Sequence, residues 1–169
     1  QPKGLWNAVG YTNSNTANFS ADKGHESVHR RTLYTFIKRT SPPPQMSTFD
    51  GPSRESCVVR RERSNSPMQA LLLMNDPQYV EAARHLAGHS IRKTEDPRTR
   101  ALWMFQRALR HLGTEADISD MLRLAEATQA VFKETPDLAA SLIQTGDSKP
   151  DEKLNAVELA AWTVVANTL

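Results

Sequence analysis

The chain has 169 residues, 21 Lys and Arg against 19 Asp and Glu, a formal net charge of +2 and one cysteine, a length that supports one domain with its own hydrophobic core. A single cysteine excludes an internal disulfide, a CxxC zinc pair and a CxxCH haem attachment, and no apolar run nears the roughly 20 residues that cross a bilayer. Residues 1–65 hold ten Lys and Arg against five Asp and Glu, and residues 66–169 eleven against fourteen; the split favours an acidic partner for the first part but lacks the clustered stripe of a nucleic-acid binder.

Residues 1–27 are rich in Asn, Ser, Thr and Gly, with Trp6, Tyr11 and Phe19 spaced as anchors, and read as ordered loop. The stretch RRTLYTFIKRT, Arg30 to Thr40, is dense in β-favouring side chains and predicts a strand, although Leu33, Phe36 and Ile37 also share one helical face. Pro42, Pro43 and Pro44 then stop any regular element. A second short strand is expected at Ser56 to Arg61, SCVVRR, paired with the first.

From Ser66 the signals turn helical. Ser66 followed by Pro67 is an N-cap and first-turn pair ahead of MQALLLM, and Asp76 with Pro77 repeats it ahead of QYVEAARHLAG. Asp96 and Pro97 open a helix with Leu102, Phe105, Leu109 and Leu112 on its core stripe and Gly113 as its left-handed cap. Thr114 and Asp117 form a capping box for the next, which turns Ile118, Met121, Leu122, Ala125 and Val131 inward and stops at Pro136. Residues 137–145 and 152–169 give two more helices, the last starting near Glu152. The reading is a mainly α protein with a small irregular, β-containing segment over residues 1–65, a helical body over 66–169, and an α+β alternative. It reads as one domain and, starting on Gln1 and ending in an apolar pattern without a stop signal, as a fragment of a longer chain.

Few residues carry the pattern of a reactive site. His85 and His89 share a helix face with Glu81, but the glutamate is not between the histidines as in HExxH, so a solvated face is preferred to a metal site. His25 and His29 repeat the spacing without a clear helix. Cys57 has Arg54, Arg60 and Arg61 near it to lower its pKa but no base nearby in sequence, and reads as a small buried hydrophobe. No GxSxG, P-loop or GxGxxG is present. The stronger feature is the arginine run. Arg54, Arg60, Arg61, Arg63 and Asn65 form a candidate anion-binding set, helped by the free N–H groups that follow Ser66. Alternatively Arg60, Arg61 and Arg63 pair with Glu55, Glu62 and Asp76, with Glu55 and Asp76 as a structural polar cluster that fixes the strand-to-helix corner.

Taken together, GLW near the start, HRRTLYTFIKRTSPPPQMSTFD, RESCVVRRERSNSPMQALLLMNDPQYVEAAR and the closing ELAAWTVVANTL resemble the planctomycete secreted C-terminal domain of unknown function, which accompanies cytochrome-c-like modules. The resemblance implies an exported protein at the periplasm or cell surface. It also implies haem c on a separate module of the parent and no cofactor in this chain. The expected role is a noncatalytic interaction module that packs against sister domains or subunits. The alternative is an anionic-glycan binding or processing half-site at the arginine run. Nucleic acid is not expected as a partner.

Overall fold

Five of the seven helices among the described residues begin on proline. Proline suits the first helical position because its fixed φ matches the helix and its missing N–H would have had no partner there. The computed structural model describes residues 37, 42–53 and 55–169, and the chain divides into two compact units, Gln1–Asp76 and Pro77–Leu169. The fold is mainly α, with no strand among the described residues.

The first unit contains α1 (Pro44–Thr48) and α2 (Pro67–Asn75), joined by an irregular connection. Pro44 does not stop regular structure as the proline run suggests; it starts the five-residue α1, with Pro43 in extended conformation as its cap. The strand expected at Ser56–Arg61 does not form. Val58 and Val59 are both exposed, so the alternating burial that stabilises a strand is missing. The strand expected at Arg30–Thr40, the loop over residues 1–27, His25, His29 and Arg54 lie outside the described residues.

The second unit consists of α3 (Pro77–Lys93), α4 (Pro97–Leu109), α5 (Glu115–Glu134), α6 (Pro136–Ile143) and α7 (Ala156–Asn167). Its centre is α7, which packs against α3, α5 and α6. That helix is apolar on nearly every side, and Leu159, Ala160, Ala161, Trp162, Thr163, Val165 and Ala166 are all buried. The alanines let neighbouring backbones approach, while Leu159, Trp162 and Val165 fill the spaces against Ala83, Ala87, Met104, Ile118 and Ile143.

Capping signals place most helix starts correctly. Asp96 Oδ2 accepts from Thr99 N–H at 2.8 Å, and Thr114 N–H donates to Asp117 Oδ2 at 2.8 Å in the expected box. The last helix starts at Ala156 and not near Glu152, because Asn155 caps it by accepting from Glu158 N–H at 3.1 Å. The fourth helix ends three residues before Leu112. Arg110, in the left-handed conformation at φ 64°, takes the role expected of Gly113. Leu112 is consequently 74% exposed and Leu109 39%, so the stripe at Leu102 and Phe105 does not extend to them. Val131, expected inward, is exposed as well.

Replacing Met104, which has no exposed surface, by alanine is expected to cost about 2–5 kcal/mol. The equivalent change at Leu112 should stay within about 0.5 kcal/mol. Urea denaturation of the two variants would show comparable losses only if α4 continued through Leu112.

Candidate functional site

In the first unit the arginine run is tied down by a carboxylate that the sequence did not single out. Asp50 follows α1 at φ 57° and reaches back to the residues that precede α2. Its Oδ2 accepts from Ser64 N–H at 2.8 Å, and its Oδ1 accepts from the Ser64 hydroxyl at 2.8 Å. Arg61 donates from Nε to the Asp50 carbonyl at 2.9 Å and from its Nη2 to the Phe49 carbonyl. Ser64 holds the Asp50 carboxyl below its ordinary range through its backbone N–H and its hydroxyl, with Arg61 and Gln69 adding to the effect. Gly51 allows the reversal: a Cβ there would stand 2.6 Å from the Met46 carbonyl oxygen.

Gln69 completes the corner from α2. Its Nε2 donates to the Thr48 carbonyl at 2.8 Å and to Ser64 Oγ at 3.0 Å, and its Oε1 accepts from Ser66 N–H at 3.2 Å. It is the only buried residue of α2. Met68, Leu71, Leu73 and Met74 are exposed, at 62%, 55%, 41% and 54%. The helix thus buries a carboxamide and leaves these apolar side chains exposed.

The predicted site residues separate here. Arg60, Arg61, Arg63, Asn65 and Glu55 are all exposed, whereas Asp76 is buried and accepts from Gln45 Nε2 at 2.7 Å. The pairing of Arg60, Arg61 and Arg63 with Glu55, Glu62 and Asp76 that the structural alternative expects is not seen among the described residues. Among the described residues Arg60, Arg61 and Arg63 make no ion pair, and Arg61 spends its donors on carbonyls. Among the described residues Glu55 engages through its backbone N–H, donated to Ser53 Oγ at 3.4 Å, and its exposed side chain does not join the buried Asp76 in one cluster. Cys57 is exposed, not a buried hydrophobe.

The second unit holds the densest buried polar group. Glu81 and Arg84, one turn apart on α3, are each 3% exposed and meet at 3.5 Å. Glu81 accepts from the N–H of Asp147 at 3.0 Å and of Ser148 at 2.8 Å, and from the Ser148 hydroxyl. Arg84 donates to the Ser148 carbonyl at 2.8 Å, to Ser148 Oγ at 2.7 Å and to the Ile143 carbonyl. Burial pushes the Glu81 carboxyl up, but the Ser148 hydroxyl, the two backbone N–H groups and the Arg84 charge outweigh it and hold the group at about 2. Burial pulls the Arg84 guanidinium below its ordinary range, and Glu81 opposes that. Gly146, at φ 106°, brings the loop this close; a Cβ there would lie 2.5 Å from Glu81 Oε2.

His85 Nε2 lies 2.9 Å from Ser148 Oγ, the distance of a nucleophile and its base. The surroundings give the contact another meaning. An ionised Glu81 can only accept, so the single Ser148 proton goes to it while Arg84 occupies an oxygen lone pair, and the hydroxyl serves as a fastener. His89 is exposed, and among the described residues no group of three or more His, Cys, Asp or Glu is placed to hold a metal ion. A second buried arginine, Arg100, ties α4 to α7. It donates to Glu158 Oε1 at 2.6 Å and to the Thr94 carbonyl at 3.1 Å, and sits 4.9 Å above the Trp162 ring.

A family model described as "PSD1: Protein of unknown function (DUF1553)" matches residues 5–125. The match takes in the arginine run, α2 and Glu81 but stops short of Ser148 and of the closing ELAAWTVVANTL. Comparison with curated proteins and with solved structures gives no match.

Glu81→Ala strands a buried guanidinium and is expected to cost about 3–5 kcal/mol. Because the Glu81 pKa falls from 4.5 to about 2 on folding, its stabilisation is present above the unfolded value and disappears as pH drops through the folded one. Urea midpoints followed across that acid window should fall less steeply for Glu81→Gln than for the parent chain. Arg63→Ala, at an exposed side chain without an ion pair, should change stability by no more than about 0.5 kcal/mol.

Proposed function

The chain belongs to the PSD1 family of proteins of unknown function, and from that premise we propose that it is a noncatalytic interaction module of an exported multidomain protein. The observation that carries the reading is the outward apolar face of α2, a helix whose one buried residue is Gln69. A globular helix ordinarily buries its apolar stripe against its own core, so the inverse arrangement suits contact with another surface. The reactive-looking groups support the same reading: Glu81, Arg84 and Ser148 are engaged with one another and with backbone, as Asp50 is with Ser64.

In this account the module works in the periplasm or at the cell surface. It carries no cofactor, and it packs against sister domains or subunits of an assembly whose haem c sits on a separate cytochrome-c-like module. That part of the reading rests on the resemblance of the RRERSNSPMQALLLMNDPQYVEAAR stretch to the planctomycete secreted domain.

A second reading has its own observation. Arg60 and Arg63 are exposed and without an ion pair among the described residues, beside the exposed amide of Asn65. Such guanidinium groups bind sulfate or carboxylate bidentately, which fits an anionic glycan.

Titration calorimetry of the 169-residue chain against the haem-bearing remainder of its parent is expected to give saturable binding with a negative heat-capacity change. Absence of binding would contradict the interaction reading. Saturable binding of a sulfated oligosaccharide that Arg60→Ala/Arg63→Ala abolishes would favour the second.

A further inference from the structure

The sequence that runs into α2 places charge just before a helix with exposed apolar side chains. Arg61 is fastened to the Phe49 and Asp50 carbonyls, and Ser64 to Asp50 and to Gln69 on the buried side of α2. The short run from 61 to 64 is therefore fixed against the start of the helix, and Arg63 sits within it. Arg60 and Arg63 keep exposed guanidinium groups with no ion pair among the described residues, although Glu55 and Glu62 are close in sequence. On the helix itself Met68 and Leu71 are three residues apart and share the face that points away from Gln69. Methionine adapts its shape to an incoming side chain more readily than branched residues do.

We infer that α2 and the arginine run form one docking surface for an acidic, amphipathic helix of a partner protein. The partner's apolar stripe lies on Met68 and Leu71, and its carboxylates meet Arg60 and Arg63. This rests on the interaction reading and adds the chemistry of the partner. Charge complementarity decides for an acidic occupant, because Arg60, Arg61 and Arg63, just before the helix, outnumber the exposed Glu55 and Glu62 and so favour carboxylates over a basic helix. A protein helix is favoured over an anionic membrane by the composition of α2. A helix that lies in a bilayer surface carries Lys and Arg along its polar face, whereas PMQALLLMN contains no charged residue. Its nine residues span about 13 Å, the length of about two and a half turns of a partner helix.

The test uses the full 169-residue chain and a fluorescent helical peptide built of leucine and glutamate, with the matching leucine–lysine peptide as control, followed by anisotropy at low and high salt. The acidic peptide is expected to bind, the basic one not. Met68→Ser/Leu71→Ser should weaken binding about tenfold or more, and Arg60→Ala/Arg63→Ala should remove its salt dependence. All four positions are exposed, and unchanged circular dichroism and urea midpoints would show that the variants fold. Equal binding of both peptides, binding of neither, or stronger binding to vesicles of anionic lipid would overturn the proposal. So would a sulfated oligosaccharide that competes for Arg60 and Arg63 without the apolar pair. Sister-domain binding that survives Met68→Ser/Leu71→Ser would overturn this surface and leave the interaction reading standing. Acidic-peptide binding without any sister-domain binding would do the reverse.

Discussion

A carboxylate that leaves water must recover its hydrogen bonds from the protein, and in this chain that demand closes the second compact unit. There Glu81 draws in the backbone N–H groups of Asp147 and Ser148, the Ser148 hydroxyl and the Arg84 guanidinium. The loop between α6 and α7 is thereby pinned to α3, which lets α7 lie among α3, α5 and α6 with its apolar surface covered. In the first, Asp50 does the corresponding work at the surface by holding Ser64 and standing beside the fixed side chain of Arg61. A buried ion pair contributes little net stability, yet loss of one partner is costly. The Glu81–Arg84 pair therefore specifies where the loop goes more than it deepens the energy minimum.

The same demand shapes function. Side chains that resemble catalytic groups, Ser148 beside His85 and Glu81 beside Arg84, have their protons and lone pairs assigned to one another and to backbone. What the fold leaves outward is of a different kind: apolar side chains on α2 and guanidinium groups just before it. Gln69 explains why they are outward. Its carboxamide satisfies the Thr48 carbonyl, Ser64 and the Ser66 N–H, and burying an amide with those partners orients the helix with Met68 and Leu71 exposed. Polar satisfaction thus sets the face presented to a partner.

Helix starts were legible in the sequence because proline and the Asp, Thr or Asn caps act within one turn, where local chemistry decides the outcome. Pro67, Pro77, Pro97 and Glu115 all open helices as read. Helix ends were less legible. Arg110 adopts the left-handed conformation for which Gly113 is the better residue, and nothing in the local pattern forces the earlier stop that exposes Leu112. The strand at Ser56–Arg61 failed because Val58 and Val59 are both exposed, and β-propensity is realised only on a half-buried surface. The polar groups that organise each unit were missed for a related reason: Asp50 and Ser64 are fourteen residues apart and Glu81 and Ser148 sixty-seven. The available signals were FDG, an Asp-Gly turn after a phenylalanine, and TGD, a glycine before an acidic loop; both mark sharp turns without naming the carboxylate that fills them. Arginine and glutamate near in sequence suggested pairing at the corner, but Arg61 found carbonyls and the ion pair formed at Arg84.

The central claim, that α2 is a contact face and not a stray apolar surface, is tested most directly by hydroxyl-radical footprinting of Met68 and Leu71. The rates are compared between the 169-residue chain alone and the same chain with the proposed sister domains present. Exposed methionine oxidises readily, so Met68 should react fast in the chain alone, and both residues should be strongly protected with the sister domains present while exposed Leu112 reacts equally in the two. Equal rates for Met68 and Leu71 in both samples would contradict the account.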